Sequence, residues 1–118
     1  MTVEEYVKRN NIEEFYCVSD HTVCLVYGKK QKPTTHEATN LCRLTNWDQY
    51  ASYKRFKDRE VVKVVEGGPW GPNIYTKWTL DELLKEYKEL THHKYLMPVW
   101  YKNNVTDEIE FEQEEIPH

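Results

Sequence analysis

Residues 13–28, EEFYCVSDHTVCLVYG, set the terms for any fold this chain adopts. Two runs of β-branched and aromatic residues flank a polar centre, and such runs favour strands. A turn at Asp20-His21, or over the four residues from Ser19 to Thr22, predicts a β-hairpin in which Val18 faces Val23 and Cys17 faces Cys24. One face then carries Phe15, Cys17, Cys24 and Val26, and the other carries Tyr16, Val18, Val23, Leu25 and Tyr27. Both faces are apolar, so the hairpin is expected at the centre of a sheet and covered on both sides.

Other elements follow from local signals. Thr2 and Glu5 have capping-box spacing before a short helix over residues 3–10. Thr79 and Glu82 repeat the signal, with Trp78 and Leu83 at the staple positions. Leu80, Leu83, Leu84, Tyr87 and Leu90 then recur at helical spacing. A further helix is expected over residues 47–57, capped by Asn46 or Thr45. Residues 60–66 read as a strand. Residues 67–72, GGPWGP, must interrupt regular structure, and 73–78 form another strand. A final hairpin joins 94–102 to 105–113 through Asn103-Asn104. It places Leu96, Trp100, Val105, Ile109 and Phe111 on one face, and Glu108, Glu110 and Glu112 on the other. Residues 28–44 are polar and read as a long connection.

The expected fold class is α+β. A single domain over residues 1–113 has an antiparallel or mixed sheet of about five to six strands built from hairpins, with two to three helices packed on it. Residues 114–118 are expected to fray.

A chain of 118 residues can bury one core, and its 14% aromatic content opposes a disordered chain. No stretch reaches the roughly 20 apolar residues that span a bilayer. The first residues are acidic and amphipathic, unlike a secretory signal. Three Cys in no dense framework suit a reducing, cytoplasmic setting. Charge is segregated: residues 28–59 carry a net +5 and residues 104–118 a net −6, against −4 for the whole chain. Such segregation points to electrostatic partners.

Each candidate site has two readings. Trp70, in the Gly/Pro loop, either presents an anchor to a protein partner or folds back over the sheet. Glu108, Glu110 and Glu112 either imitate a phosphate backbone for a basic partner or solvate an edge strand. Trp47, Tyr53, Lys54, Arg55, Lys57 and Arg59, extended by Lys29 and Lys30, either stack on and neutralise an anionic ligand or form an ordinary amphipathic helix with its aromatics in the core. A pI near 5.7 opposes a dedicated nucleic-acid binder. Cys17, His21 and Cys24 have ligand-like spacing, but a structural zinc site needs a fourth ligand and His21 would sit out at the turn. The alternative is two buried thiols, and no metal or cofactor is assigned. Cys42 with His36, or with His92-His93, could pair nucleophile and base, yet no catalytic signature supports it.

Recognition therefore ranks above chemistry. The first expectation is a non-enzymatic binding protein, such as a small acidic inhibitor of a nucleic-acid-handling protein; intracellular viral inhibitors fit that description. The second is a binder of a nucleotide or short nucleic acid, and the third is a small Cys/His enzyme. An edge strand leaves room for a homodimer.

Overall fold

The structure is a computed structural model and describes residues 1–27, 32–45, 47–67, 71–91 and 96–113. In chain order the elements are α1 (Val3–Arg9), β1 (Glu14–Ser19), β2 (His21–Tyr27), β3 (Thr34–His36), β4 (Thr39–Arg43), α2 (Trp47–Phe56), β5 (Val61–Val65), β6 (Asn73–Thr76), α3 (Leu80–Thr91), β7 (Leu96–Asn103) and β8 (Ile109–Glu112). The fold is α+β, as the sequence indicates, but its eight described strands form two four-stranded sheets rather than one smaller sheet. The chain divides into two compact units, Met1–Asp20 with Ala38–Lys77, and His21–Glu37 with Trp78–His118.

The first unit holds a mixed sheet in the order β4-β1-β6-β5. β1 pairs antiparallel with β4 and parallel with β6, so both of its edges are filled. Phe15, Cys17, Cys42 and Ile74 are buried at 0–1% exposure, as are Val3 and Val7 of α1 and Phe56 of α2. The capping box of α1 forms as expected: Thr2 Oγ1 accepts the Glu5 N–H, and the Glu5 carboxylate accepts the Thr2 N–H. These bonds, the backbone one foremost, hold the Glu5 carboxyl below its ordinary range. The cap's contribution is therefore present above that range and is lost as pH falls.

The second unit holds an antiparallel sheet in the order β3-β2-β7-β8. Val23, Cys24, Leu25 and Val26 are buried in succession, as befits an interior strand covered on both faces. The second capping box also forms, with Thr79 Oγ1 accepting the Glu82 N–H at 3.2 Å and Glu82 accepting the Thr79 N–H at 3.0 Å. Trp78 and Leu83 are buried. Tyr101 Oη donates to the Trp78 carbonyl at 2.7 Å, which ties the start of α3 to β7.

The first hairpin does not form. Cys17 lies opposite Asn40 and Ile74, whereas Cys24 lies opposite Thr35 and Trp100. At the expected turn, the Ser19 N–H bonds the Ala38 carbonyl and the Asp20 N–H bonds the Thr76 carbonyl, each at 2.8 Å. Those bonds carry β1 straight through its own sheet, and the chain enters the other sheet at His21. The polar connection also contains two short strands, β3 and β4. Both are edge strands that join through backbone bonds, which need no apolar alternation.

The last hairpin forms with a longer turn. Asn103 Oδ1 accepts the N–H groups of Val105 and Thr106 at 2.8 and 2.9 Å, and Asp107 adopts φ 66°. The register shifts between Tyr101 and Lys102, placing Phe111 opposite Tyr101 and Glu112 opposite Trp100. Directly opposed residues share a face, so the expected division into one apolar and one acidic face is broken by that shift.

β5 ends at Val65 and β6 starts at Asn73, on either side of the expected break, of which residues 68–70 lie outside the described residues. Gly71 has φ 96°, and a Cβ there would stand 2.0 Å from the Glu14 carbonyl oxygen. The chain thus passes closer to β1 than any side chain permits.

Candidate functional site

Among the described residues, β8 is the outer strand of its sheet and pairs with β7 alone. All four of its residues are exposed, Ile109 at 54% and Phe111 at 40%. Exposed apolar side chains on an open strand edge are an anomaly that calls for a partner or an explanation. Glu108, Glu110 and Glu112 are exposed as well. Their electrostatic situations differ. Glu110 Oε2 lies 3.0 Å from His21 Nε2, and the buried His21 ring stacks on Tyr101 at 4.2 Å with a 5° interplanar angle. At the turn, Asp107 pairs with Lys102. Among the described residues, Glu108 and Glu112 have no ion-pair partner.

The His21–Glu110 contact was not legible in the sequence, which put His21 at a solvent-facing turn. His21 is instead the first residue of β2, at 6% exposure, and the pairing of β2 with β7 and of β7 with β8 brings Glu110 near it.

The α2 candidates separate by helical face. Trp47 is 87% exposed, and Lys54 and Arg55 are exposed beside it. Lys54 Nζ lies 5.3 Å from the Tyr50 ring centroid, a cation–π distance. Tyr53 is the exception: at 4% exposure it packs edge-on against Phe15 at 6.2 Å and offers no ring to a ligand. Burial raises the Tyr53 phenol, with Glu4 contributing next. The other expected cations of this segment are engaged as well, and Arg55 lies 4.8 Å from the Phe56 ring centroid. Lys57 pairs with Glu4 at 3.6 Å, and Arg59 donates to the Lys77 carbonyl at 2.9 Å while lying over Phe56. Asp48 and Asp58 are exposed on the same segment and offset Lys54 and Arg55. Lys29, Lys30 and Trp70 lie outside the described residues, as do Asn46, the His92-His93 pair and residues 114–118.

The thiols are arranged for packing. Cys17, Cys24 and Cys42 are buried and form no disulfide. Burial pushes Cys42 up to about 12, and its Sγ–H points to the Asn40 carbonyl at 3.7 Å. Burial also raises Cys17, which contacts Thr76 Oγ1 at 3.5 Å, and it raises Cys24. A nucleophilic cysteine needs the opposite shift. His36, lowered by burial, packs its ring 4.5 Å from Tyr87. Among the described residues no group of three His, Cys, Asp or Glu is placed to hold a metal ion. All three thiols are expected to resist a disulfide reagent at about pH 8 in the native chain and to react in denaturant. Rapid native labelling at Cys42 would contradict that packing.

The first unit also has a cleft of about 400 Å³ lined by Tyr6, Asn10, Ile12, Val64, Glu66 and Pro72. A second, of about 310 Å³, is lined by Glu13, Glu14, Arg43 and Thr45, where Arg43 is already paired with Glu14. Among the described residues no helix is long and apolar enough to cross a membrane. No family model, curated protein or solved structure matches the chain significantly.

Proposed function

We propose that this chain is a non-enzymatic binding protein that captures a basic protein partner on the edge of β8. One observation carries the reading: a strand edge that is unpaired among the described residues combines exposed Ile109 and Phe111 with the exposed carboxylates of Glu108 and Glu112. Apolar side chains supply contact area, and the carboxylates select the charge of what docks. An inhibitor of a nucleic-acid-handling protein is one form such a binder takes, since exposed carboxylates can occupy phosphate positions in a basic groove. Burial of the three thiols, which raises each of them, weighs against a cysteine nucleophile.

The double variant Glu108→Lys/Glu112→Lys tests it. Both residues are exposed, so stability should change by no more than about 0.5 kcal/mol. Partner capture by the tagged chain should fall about 10- to 100-fold, because like charges across an interface cost several kcal/mol. Glu110 is kept, since reversing it would set a cation against the buried His21. Undiminished capture of the same proteins would refute the reading.

Trp47 favours a second reading, an anionic ligand stacked on α2. Binding of a short single-stranded oligonucleotide, followed by tryptophan fluorescence, should then weaken with salt. It should lose about 1–3 kcal/mol in Trp47→Ala. Salt-independent binding, or binding untouched by that variant, would discard it.

A further inference from the structure

We infer that the partner contributes an extended segment of alternating basic and apolar residues, which adds to β8 as the next strand of the sheet. The inference rests on the binding-protein reading and specifies how the partner docks. Its geometry begins at Gln113, whose N–H bonds the Val99 carbonyl at 2.7 Å. Inward and outward main-chain groups alternate along an antiparallel strand, so the N–H and C=O of Glu112 face the open side. A further strand can satisfy them, as in other cases of strand addition.

The side chains of β8 state what that strand should carry. Phe111 stands opposite Tyr101 on one face, and Glu112 stands opposite Trp100 on the other. An added strand alternates in step, placing one residue beside Phe111 and the next beside Glu112, each within about 4.5–5.5 Å between Cβ atoms. An apolar residue fits the first position and Lys or Arg the second. Glu108, at the start of the strand, extends the preference for cations.

Charge also decides against a second copy of this chain at the same edge. Antiparallel pairing of β8 with itself would set glutamates beside glutamates, in a region (residues 104–118) that carries six acidic and no basic side chains. The acidic side chains therefore oppose self-association while leaving the edge open to a cationic strand. The first sheet treats its edge differently: beside β5, Thr2 bridges Glu60 and the Met1 carbonyl accepts the Val61 N–H. There the chain's own N-terminus covers the start of the edge strand; β8 has no such cover among the described residues.

The test uses the full chain and four synthetic peptides about eight residues long, a strand's length. The first alternates Lys and Val. The second and third have the same sequence with N-methyl groups on alternate residues in opposite phase, so that each lacks main-chain donors along one edge. The fourth alternates Glu and Val. The Lys-Val peptide should bind and slow amide exchange at Glu112 about tenfold or more. N-methylation on the docking edge should weaken binding about tenfold or more, as should Glu108→Lys/Glu112→Lys in the protein. The Glu-Val peptide should not bind. Equal affinity for the Lys-Val peptide methylated on either edge, with Glu112 unprotected, overturns strand addition yet leaves an acidic docking surface standing. Failure of the Lys-Val peptide to bind also overturns strand addition. The broader reading fails separately, if the charge-reversed chain still captures the same partners.

Discussion

Phe15→Ala is expected to lower the unfolding free energy by about 3–5 kcal/mol, the range for deleting a buried aromatic ring. Phe15 has no exposed surface and lies on β1, an interior strand whose two neighbours run in opposite senses. Opposite it stands Cys42, also fully buried, and the Tyr53 ring meets it edge-on. The backbones on either side cannot close into the space without shifting β4 or α2, which hold Cys42 and Tyr53. The cavity should therefore persist and add to the lost transfer energy. Urea unfolding of the two chains measures the difference. A loss below about 1 kcal/mol, the cost of an ordinary substitution, would place Phe15 outside the core.

Gly71→Ala is expected to destabilise by about 2–5 kcal/mol, combining backbone strain with overpacking. At φ 96° a side chain is strained wherever it points, and the new Cβ would stand 2.0 Å from the Glu14 carbonyl oxygen. Relief requires moving β1 or the start of β6, which pair with each other through Tyr16 and Asn73. Gly67 is tight as well, with a Cβ there 2.4 Å from the Gly71 carbonyl oxygen. The same urea measurement applies. A neutral Gly71→Ala would show that the loop approaches β1 less closely than described.

Local signals were legible in the sequence, and long-range pairing was not. Both capping boxes depend on residues three apart, so Thr2 with Glu5 and Thr79 with Glu82 could be found by spacing alone. The Gly/Pro cluster marked the end of β5 for the same reason. β1 and β2 were recognisable as two-faced apolar strands, but adjacency in sequence suggested that they pair. Their partners lie elsewhere: Cys17 meets Ile74, and Cys24 meets Trp100. Periodicity carries no signal for such distant choices.

α2 shows a different limit. Trp47, Tyr50, Ala51 and Lys54 fall along one helical face, and Tyr53, Phe56 and Lys57 lie beside it. Both contain aromatics, so amphipathicity alone does not choose between them. The fold buries Tyr53 and Phe56 and leaves Trp47 out. For β8, the alternating glutamates correctly indicated exposure at an edge. The register shift at Tyr101/Lys102 removed the apolar face expected beside them, and the tie from Glu110 to His21 needed a pairing the sequence does not display.

Hydrogen–deuterium exchange on the chain alone, and on the chain carrying a captured partner, tests the docking edge most directly. The predicted result is slowed exchange confined to the amides of β8, above all Glu112, with α2 unchanged. Slowed exchange over α2 around Trp47, with the β8 amides unaltered, would contradict the account.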